Sequence, residues 1–306
     1  MKFIVTVDTE ADDQWSGTGD VSVHNLEGLT RFQSFMKERG VPPTYLASYE
    51  TLSHPALAEL ARAHHKGEAE IGGHLHPWTT PPLDEGDAVQ RFPLELPDTA
   101  LEAKLAMLTS ALTNLLGESP RSFRAGRWGA DDRVLHAIAR QGYRVDSSVT
   151  PSIRWGDIIR DVHRHSATPD FSRHSPHPSM VSGTDLLEVP MSVLLTGVLP
   201  FPSLARLGGR KGFLGKVARA LARPRWCRIF PETKLGDLRA VYRAARAQGL
   251  PALVFMIHSS ELTPDMSPYV KDDAALERVY LLLDQFIAFL REEGVAPIRM
   301  SELRVS

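Results

Sequence analysis

Glu70-Ile71-Gly72-Gly73-His74-Leu75-His76-Pro77-Trp78 reads as a short apolar strand that carries two histidines to its C-terminal end and stops at a proline. Residues i and i+2 of an extended chain project from one face, so His74 and His76 offer two imidazoles to a single cation. The same plan stands at the N-terminus. There Phe3-Ile4-Val5-Thr6-Val7-Asp8-Thr9-Glu10 is an apolar strand that ends in two carboxylates, again at i and i+2. Together the two stretches predict an oxygen-and-nitrogen metal site with a spare carboxylate beside it.

Working outward, strand-like and helix-like segments alternate. After the Lys2–Val7 strand, Asn25 is the expected cap of a helix through Leu29, Phe32 and Met36 to the Gly40 stop. Thr44–Ala47 is a strand, Ser53 the expected cap of a helix ended by Gly67, and Glu70–Leu75 the next strand. Helices over about Thr99–Leu116, Asp131–Gln141, Leu235–Ala247 and Ala274–Glu292 alternate with strands at Ser122–Arg124, Tyr143–Ser147, Leu186–Met191 and Ala252–Ile257, and Pro297–Met300 closes the series. Repeated strand-then-helix units give a parallel sheet, and about seven of them give a distorted (β/α) barrel of the α/β class. Asp8, Glu10, His74, His76, Arg124, Asp146, Glu188 and His258 all fall at or just after strand ends, where parallel barrels carry their chemistry.

The 306 residues are 42% hydrophobic with a formal net charge of -2, enough for a large core and without a global charge that would attract nucleic acid or an acidic membrane. The single cysteine, Cys227, excludes an intramolecular disulfide and a cysteine zinc site, and no motif surrounds it. No apolar run approaches membrane-spanning length, and a strand beginning at Lys2 leaves no room for a signal peptide, so a cytoplasmic protein is expected. One domain over 1–306 is expected, with two segments outside the repeating pattern. The polar loop at 153–183 carries His163, His165, His174 and His177 without metal-ligand spacing and reads as surface. The basic insertion at about 200–228 holds Arg206, Arg210, Lys211, Lys216, Arg219, Arg223 and Arg225 and no acidic residue. It reads as a solvated helix on the barrel rim, or as a peripheral membrane contact through 206–225.

Five short motifs, in order, resemble those of the NodB-like polysaccharide deacetylase superfamily, metal-dependent amide hydrolases on a distorted (β/α) barrel with seven strands. They are Thr6-Val7-Asp8-Thr9-Glu10, Gly73-His74-Leu75-His76-Pro77-Trp78, Phe123-Arg124-Ala125-Gly126-Arg127-Trp128-Gly129, Val145-Asp146-Ser147-Ser148 and Phe255-Met256-Ile257-His258. The resemblance implies that Asp8 is the catalytic base and His258 the general acid, with Arg124 orienting Asp8 and Asp146 orienting His258. Two departures stand out. The family's second aspartate is replaced by Thr9, which leaves Glu10 as the implied ligand. The family's two histidines four residues apart are replaced by His74 and His76, as in bacterial members with a Gly-His-Leu-His-Pro-Trp motif.

Trp128 offers a flat apolar face of the kind sugar rings stack on, and the glycines of its turn are expected to let backbone N–H groups approach a substrate oxygen. Trp78, Arg127 and Glu261 complete the expected substrate contacts. The implied activity is hydrolysis of an N-acyl group, N-acetyl foremost, from an amino sugar or glycan, a lipid-linked one included. Glu10, His74 and His76 would hold a divalent metal, Zn2+ first, with Co2+, Ni2+ or Fe2+ as alternatives for two imidazoles and a carboxylate. Two other readings stay open: a metal-independent amidase on a small cyclic amide, and a catalytically silent carbohydrate-binding protein using Trp15, Trp78 and Trp128. Nucleic-acid binding is not expected.

Overall fold

A computed structural model describes residues 1–12, 21–84, 92–158, 167–197 and 223–305. The sheet is built around β1 (Lys2–Thr9), whose Phe3, Ile4, Val5 and Val7 are all buried, as a strand covered on both faces requires. On one side β1 pairs in parallel with β10 (Ala252–His258), in a register that sets Asp8 opposite His258. On the other side come β2 (Thr44–Ala47), β3 (Glu70–Leu75), β4 (Ser122–Ala125), β5 (Val145–Asp146) and β7 (Leu187–Glu188). Among the described residues these seven form a continuous parallel path, with β6 (Ser179–Met180) antiparallel on β7 and β11 (Ala296–Pro297) on the start of β1.

The sheet curls. The outer edge of β10 is met by the Ser192 and Cys227 segments, because Val254 N–H donates to Ser192 Oγ at 2.8 Å and Met256 N–H to the Cys227 carbonyl at 3.2 Å. Ser192 and Cys227 lie at the two ends of a hairpin of β8 (Val193–Thr196) and β9 (Arg223–Trp226), which thereby covers an edge that would otherwise be bare. Strand-helix alternation in the sequence therefore corresponds to a curled, mostly parallel sheet with helices between its strands.

Helices α1 (Gly28–Glu38), α2 (Pro55–His65), α3 (Asp98–Leu116), α4 (Asp132–Arg140), the single turn α5 (Trp155–Ile158), α6 (Leu235–Ala247) and α7 (Asp273–Glu292) follow the strands. In α7, Leu276, Val279, Leu283, Phe286 and Leu290 recur at helical spacing and are buried. Each such side chain contributes about 1.5–3 kcal/mol by leaving water. Asp131 and Asp272 cap α4 and α7 by accepting from Val134 N–H and Ala275 N–H.

Two expected caps are corrected. His54, not Ser53, caps α2, its Nδ1 accepting from Ala56 N–H. Asn25 caps nothing: it is buried in a 3-10 turn before α1, and its Nδ2 donates to the Glu10 carbonyl at 2.9 Å. Its role is to fix the chain just after β1. The strands expected over Tyr143–Ser147 and Leu186–Met191 shrink to two residues each, and beyond β5 Ser148 N–H and Val149 N–H turn to the carboxylates of Asp146 and Glu188.

Among the described residues no helix is long and apolar enough to cross a membrane. Arg206, Arg210, Lys211, Lys216, Arg219, His163, His165 and Trp15 lie outside the described residues. Arg223 and Arg225, at the described end of the basic segment, are both engaged by Asp237, at 3.3 and 2.9 Å. His174 and His177 are exposed, and neither joins a group able to hold a metal among the described residues.

Candidate metal centre and active site

Strand alternation settles the N-terminal motif first. Thr9 turns away from the face shared by Asp8 and Glu10, with its hydroxyl donating to the Val7 carbonyl. The backbone beyond the strand is held by Ser259, whose Oγ accepts from Glu10 N–H at 3.2 Å, and by Asn25. Glu10 Oε2 then lies 2.9 Å from His76 Nε2 and 3.3 Å from His74 Nε2, all three side chains buried. One ligand atom from each falls within 4.8 Å of the others.

These residues fit a divalent cation. His74 Nδ1 lies 2.9 Å from the Arg124 carbonyl, which can only accept, so Nδ1 carries a proton and Nε2 is the ring atom turned to Glu10. Burial lowers the pKa of His76, favouring the neutral imidazole that a metal ligand must be. Burial acts the same way on His74 but is outweighed by the Glu10 and Asp8 carboxylates, which raise its pKa. Glu10 is itself held well below the usual carboxylate range, because His258, His74 and His76 overcome the opposing effect of burial. The cluster thus concentrates negative potential at a point lined by nitrogen and oxygen donors, a demand that a proton or a cation can meet.

Beside this group Arg124, fully buried on β4, grips the base candidate. Its Nη1 donates to Asp8 Oδ1 at 2.5 Å and to Thr6 Oγ1 at 2.9 Å, while Nε and Nη2 donate to the Ser147 carbonyl and hydroxyl at 2.8 and 3.0 Å. A guanidinium anchored at both ends fixes the carboxylate in one orientation.

His258, at the end of β10, turns Nε2 to within 3.7 Å of Glu10 Oε1. Its Nδ1 lies 2.7 Å from Glu261 Oε1, which also receives His258 N–H at 3.2 Å and Arg228 Nη2 at 2.5 Å. Two expectations are corrected here. The carboxylate that orients His258 is Glu261, carried three residues on by a 3-10 turn, rather than Asp146. Glu261 is in turn no substrate contact, because it is fully buried between His258 and Arg228. Burial works to raise the pKa of Glu261, and Arg228 with His258 overcomes it, so this carboxyl is held ionised.

Asp146 has a different place. Its oxygens accept from Ser148 N–H and Oγ–H, both at 2.8 Å, and it shares a hydrogen bond with Glu188. Burial raises both pKa values, that of Glu188 further because the Asp146 charge opposes a second ionisation beside it. Ser148 Oγ also accepts from Ala125 N–H at 2.8 Å, so the pair braces the residue that leads into the Gly126–Gly129 turn.

In that turn the left-handed residues are Arg127 and Trp128, at φ 53° and 62°, not the glycines. The glycines answer to crowding instead. A Cβ on Gly126 would stand 2.4 Å from the Leu75 carbonyl and 2.5 Å from His76 Nδ1, and one on Gly129 would stand 2.6 Å from Pro93 Cδ. Two non-glycine residues in the left-handed region store about 1–3 kcal/mol of strain each, which aims Arg127 and Trp128 at fixed directions. The Arg127 guanidinium lies 5.0 Å over the Trp78 ring, and Arg124 lies 4.9 Å over Trp128. Cys227 is buried, and burial pushes its thiol up, away from any nucleophilic role.

Sequence reasoning missed Arg228 and the place of Glu261. The spacing His258-x-x-Glu261, a capping-box pattern, was a usable signal for Glu261. Nothing local marks Arg228 among the other arginines of its segment.

No protein-family profile matches the sequence, and no curated protein is detectably similar to it. Similarity in structure is extensive. A protein of Mycobacterium smegmatis assigned as a polysaccharide deacetylase aligns over 99% of this chain and 94% of its own, at 17% identity and a TM-score of 0.53. A protein of Parabacteroides distasonis assigned as a glycoside hydrolase/deacetylase aligns over 98% of this chain and 70% of its own, at 12% identity and a TM-score of 0.58. The 4-alpha-glucanotransferase of Thermococcus litoralis also aligns over 99% of this chain, which spans 38% of that protein, at 11% identity and a TM-score of 0.52. At such identities the likeness concerns the fold, and the fold alone serves more than one chemistry. What the chain shares with these structures is the curled, mostly parallel NodB-type (β/α) barrel that polysaccharide deacetylases carry.

Proposed function

We propose that the chain is a metal-dependent hydrolase that removes an N-acyl group, N-acetyl foremost, from an amino sugar within a glycan. The observation that carries this reading is the meeting, in one cluster, of Glu10, His74 and His76 with an arginine-held Asp8 and a carboxylate-held His258. Glu10, His74 and His76 would hold the cation, Zn2+ by preference for this donor set, whose chemistry when bound is to polarise an acyl oxygen and acidify water.

Asp8, kept in one orientation by Arg124, takes a proton from the attacking water as its oxygen bonds to the acyl carbon. The amides of the Arg127–Trp128 turn are the donors assigned to the oxyanion that forms. His258, held upright by Glu261, gives a proton to the amide nitrogen, because an amine anion does not leave. The C–N bond then breaks, releasing the free amine and the carboxylic acid, and the Asp8 proton passes to solvent or to His258 to reset the site. Trp78, Arg127 and Trp128 border this centre and are assigned to the sugar.

The test is release of acetate and of a primary amine from N-acetylated sugars and oligosaccharides, with and without a chelator. Turnover that chelation abolishes and added Zn2+ restores, and that Asp8→Asn removes without loss of bound metal, is the expected result. Turnover indifferent to chelation would favour a metal-free amidase, and binding without acyl release across the set would favour a silent lectin.

A further inference from the structure

Glu50 is a carboxylate that the proposed chemistry leaves unused, and the sheet delivers it to the candidate metal centre. In the parallel register Ala47, the last residue of β2, stands between Thr9 of β1 and Gly73 of β3. The chain leaving β2 therefore enters between Glu10 and His74, the residues that follow those two. Ser48 N–H donates to the Thr9 carbonyl at 2.9 Å, and a 3-10 turn over Tyr49–Thr51 then carries Glu50 at the same rim.

The two oxygens of Glu50 have different surroundings. Oε1 accepts from the Ser48 hydroxyl at 2.6 Å and from Ala11 N–H at 3.2 Å. Glu10 lies one residue past the end of β1, so its backbone depends on such bonds. Ser259 and Asn25 hold Glu10 itself, and Glu50 holds the next residue along. Oε2, by contrast, is buried and has no hydrogen-bond partner among the described residues. A buried carboxylate oxygen in that condition is costly unless a donor or a cation comes to meet it.

The other carboxylates at this end of the sheet are already answered. Asp8 has Arg124, Glu261 has Arg228 and His258, and Glu188 shares a hydrogen bond with Asp146. Glu50 forms no ion pair among the described residues. Its charge nevertheless reaches the centre. Burial lowers the pKa of His76, and Glu10 and, more weakly, Glu50 work to raise it. A negative group that faces the candidate ligands without a counter-charge of its own adds to the demand for a cation among them.

We propose that Glu50 is a positioning residue for a divalent cation held by Glu10, His74 and His76: one oxygen locks the turn that carries Glu10, and the charge left on the other strengthens the hold on the cation. The inference rests on the metal-dependent reading of that group, and it is defined by binding, not by turnover. Glutamine separates the charge from the brace. Its amide oxygen can still accept from Ala11 N–H and the Ser48 hydroxyl, while the negative charge is gone. A residue needed only to brace the turn would lose little by this change. A residue that acts by charge loses its effect on the cation, and the metal-free protein is relieved of an unpartnered buried oxygen.

Wild type and Glu50→Gln are therefore stripped of metal, their urea midpoints compared, and each titrated with Zn2+ in competition with a chromophoric chelator. The expected result is a metal-free midpoint equal to or above that of the wild type, together with Zn2+ affinity weakened by about 10–100-fold. Unchanged Zn2+ affinity overturns the proposal. So does a metal-free variant that is destabilised or unfolded, because Glu50 is then a brace of the fold. The two readings fail separately. Zn2+ bound tightly by the wild type and weakly by Glu50→Gln, with no acetate released from N-acetylated oligosaccharides, removes the hydrolase and leaves Glu50 its role. Zn2+-dependent acetate release with equal Zn2+ affinity in both proteins removes the role of Glu50 and leaves the hydrolase. A wild type that takes up no Zn2+ removes both.

Discussion

The Nδ1 of His74 donates to the backbone carbonyl of Arg124, 2.9 Å away across the β3–β4 pair, while the Arg124 side chain reaches on to Asp8. One residue therefore serves two halves of the centre by two different groups. Its carbonyl sets the tautomer of the candidate ligand His74, and its guanidinium sets the orientation of the candidate base Asp8. Because the first is a main-chain interaction, it survives substitution of the side chain, and this makes the two roles separable.

Arg124→Gln should retain near-stoichiometric metal by elemental analysis while lowering kcat by about 10²-fold or more. The substitution also leaves the buried Asp8 without its counter-charge, at a cost of about 3–5 kcal/mol. Arg124→Met combined with Asp8→Asn should recover much of that loss in urea unfolding, though not the activity. Metal lost together with turnover in Arg124→Gln would refute the separation.

Glu261 offers a second separable role. It touches His258 and Arg228 and is sealed from substrate. Glu261→Gln should therefore reduce kcat by about 10²–10⁴-fold with KM for a glycan nearly unchanged, since the imidazole loses its fixed partner while the binding surface stays. Asp146→Asn, which leaves His258 and its partners in place, should reduce kcat far less. The reverse ranking in steady-state kinetics would return the orienting role to Asp146.

Much of this is legible in the sequence. Alternation of apolar strands and helices, and polar residues recurring at strand ends, follow from local pattern, and pattern is what a linear sequence displays. The i and i+2 spacings of Asp8 with Glu10 and of His74 with His76 transferred directly, because a strand's period is the same in any sheet. Partners set by long-range geometry were not legible. Arg228 reaches Glu261 from the far side of a hairpin, and nothing around it differs from Arg223 or Arg225, which end on Asp237. The glycines of the Gly126–Gly129 turn stand out in the sequence, but the sequence shows a missing side chain and not whether rotation or space required its absence.

Space is the requirement at Gly126, and it can be tested at the metal. A methyl group there meets the Leu75 carbonyl and His76 Nδ1 at distances no real contact allows, so either the turn or the His76 ring must move. Among the described residues His76 Nδ1 has no hydrogen-bond partner to resist displacement. Gly126→Ala should weaken metal binding by about 10–100-fold in a chelator competition while the far-UV spectrum is kept. Unchanged affinity would mean that the ring position does not matter to the metal.

The last prediction concerns the Asp146–Glu188 pair and runs against the usual sense for carboxylates. Burial and the charge of Asp146 raise the pKa of Glu188 well above its ordinary value, so the folded protein holds a proton there that the unfolded chain has released. A raised carboxyl pKa contributes stability that is fully present below the unfolded value, near pH 4.5, and is lost as pH rises through the folded one. Stability should therefore decline from mildly acidic to alkaline pH, by up to about 1.4 kcal/mol per pH unit for one proton. Glu188→Gln keeps the shape and a hydrogen-bond donor while removing the ionisation, so it should flatten this decline and exceed the wild type in urea midpoint at pH 8. Because the pair braces Ala125 N–H through Ser148, the same variant should extend activity toward higher pH if the turn loosens as the pair ionises. Parallel pH-stability curves for wild type and Glu188→Gln would show that no proton is held between the two carboxyl groups.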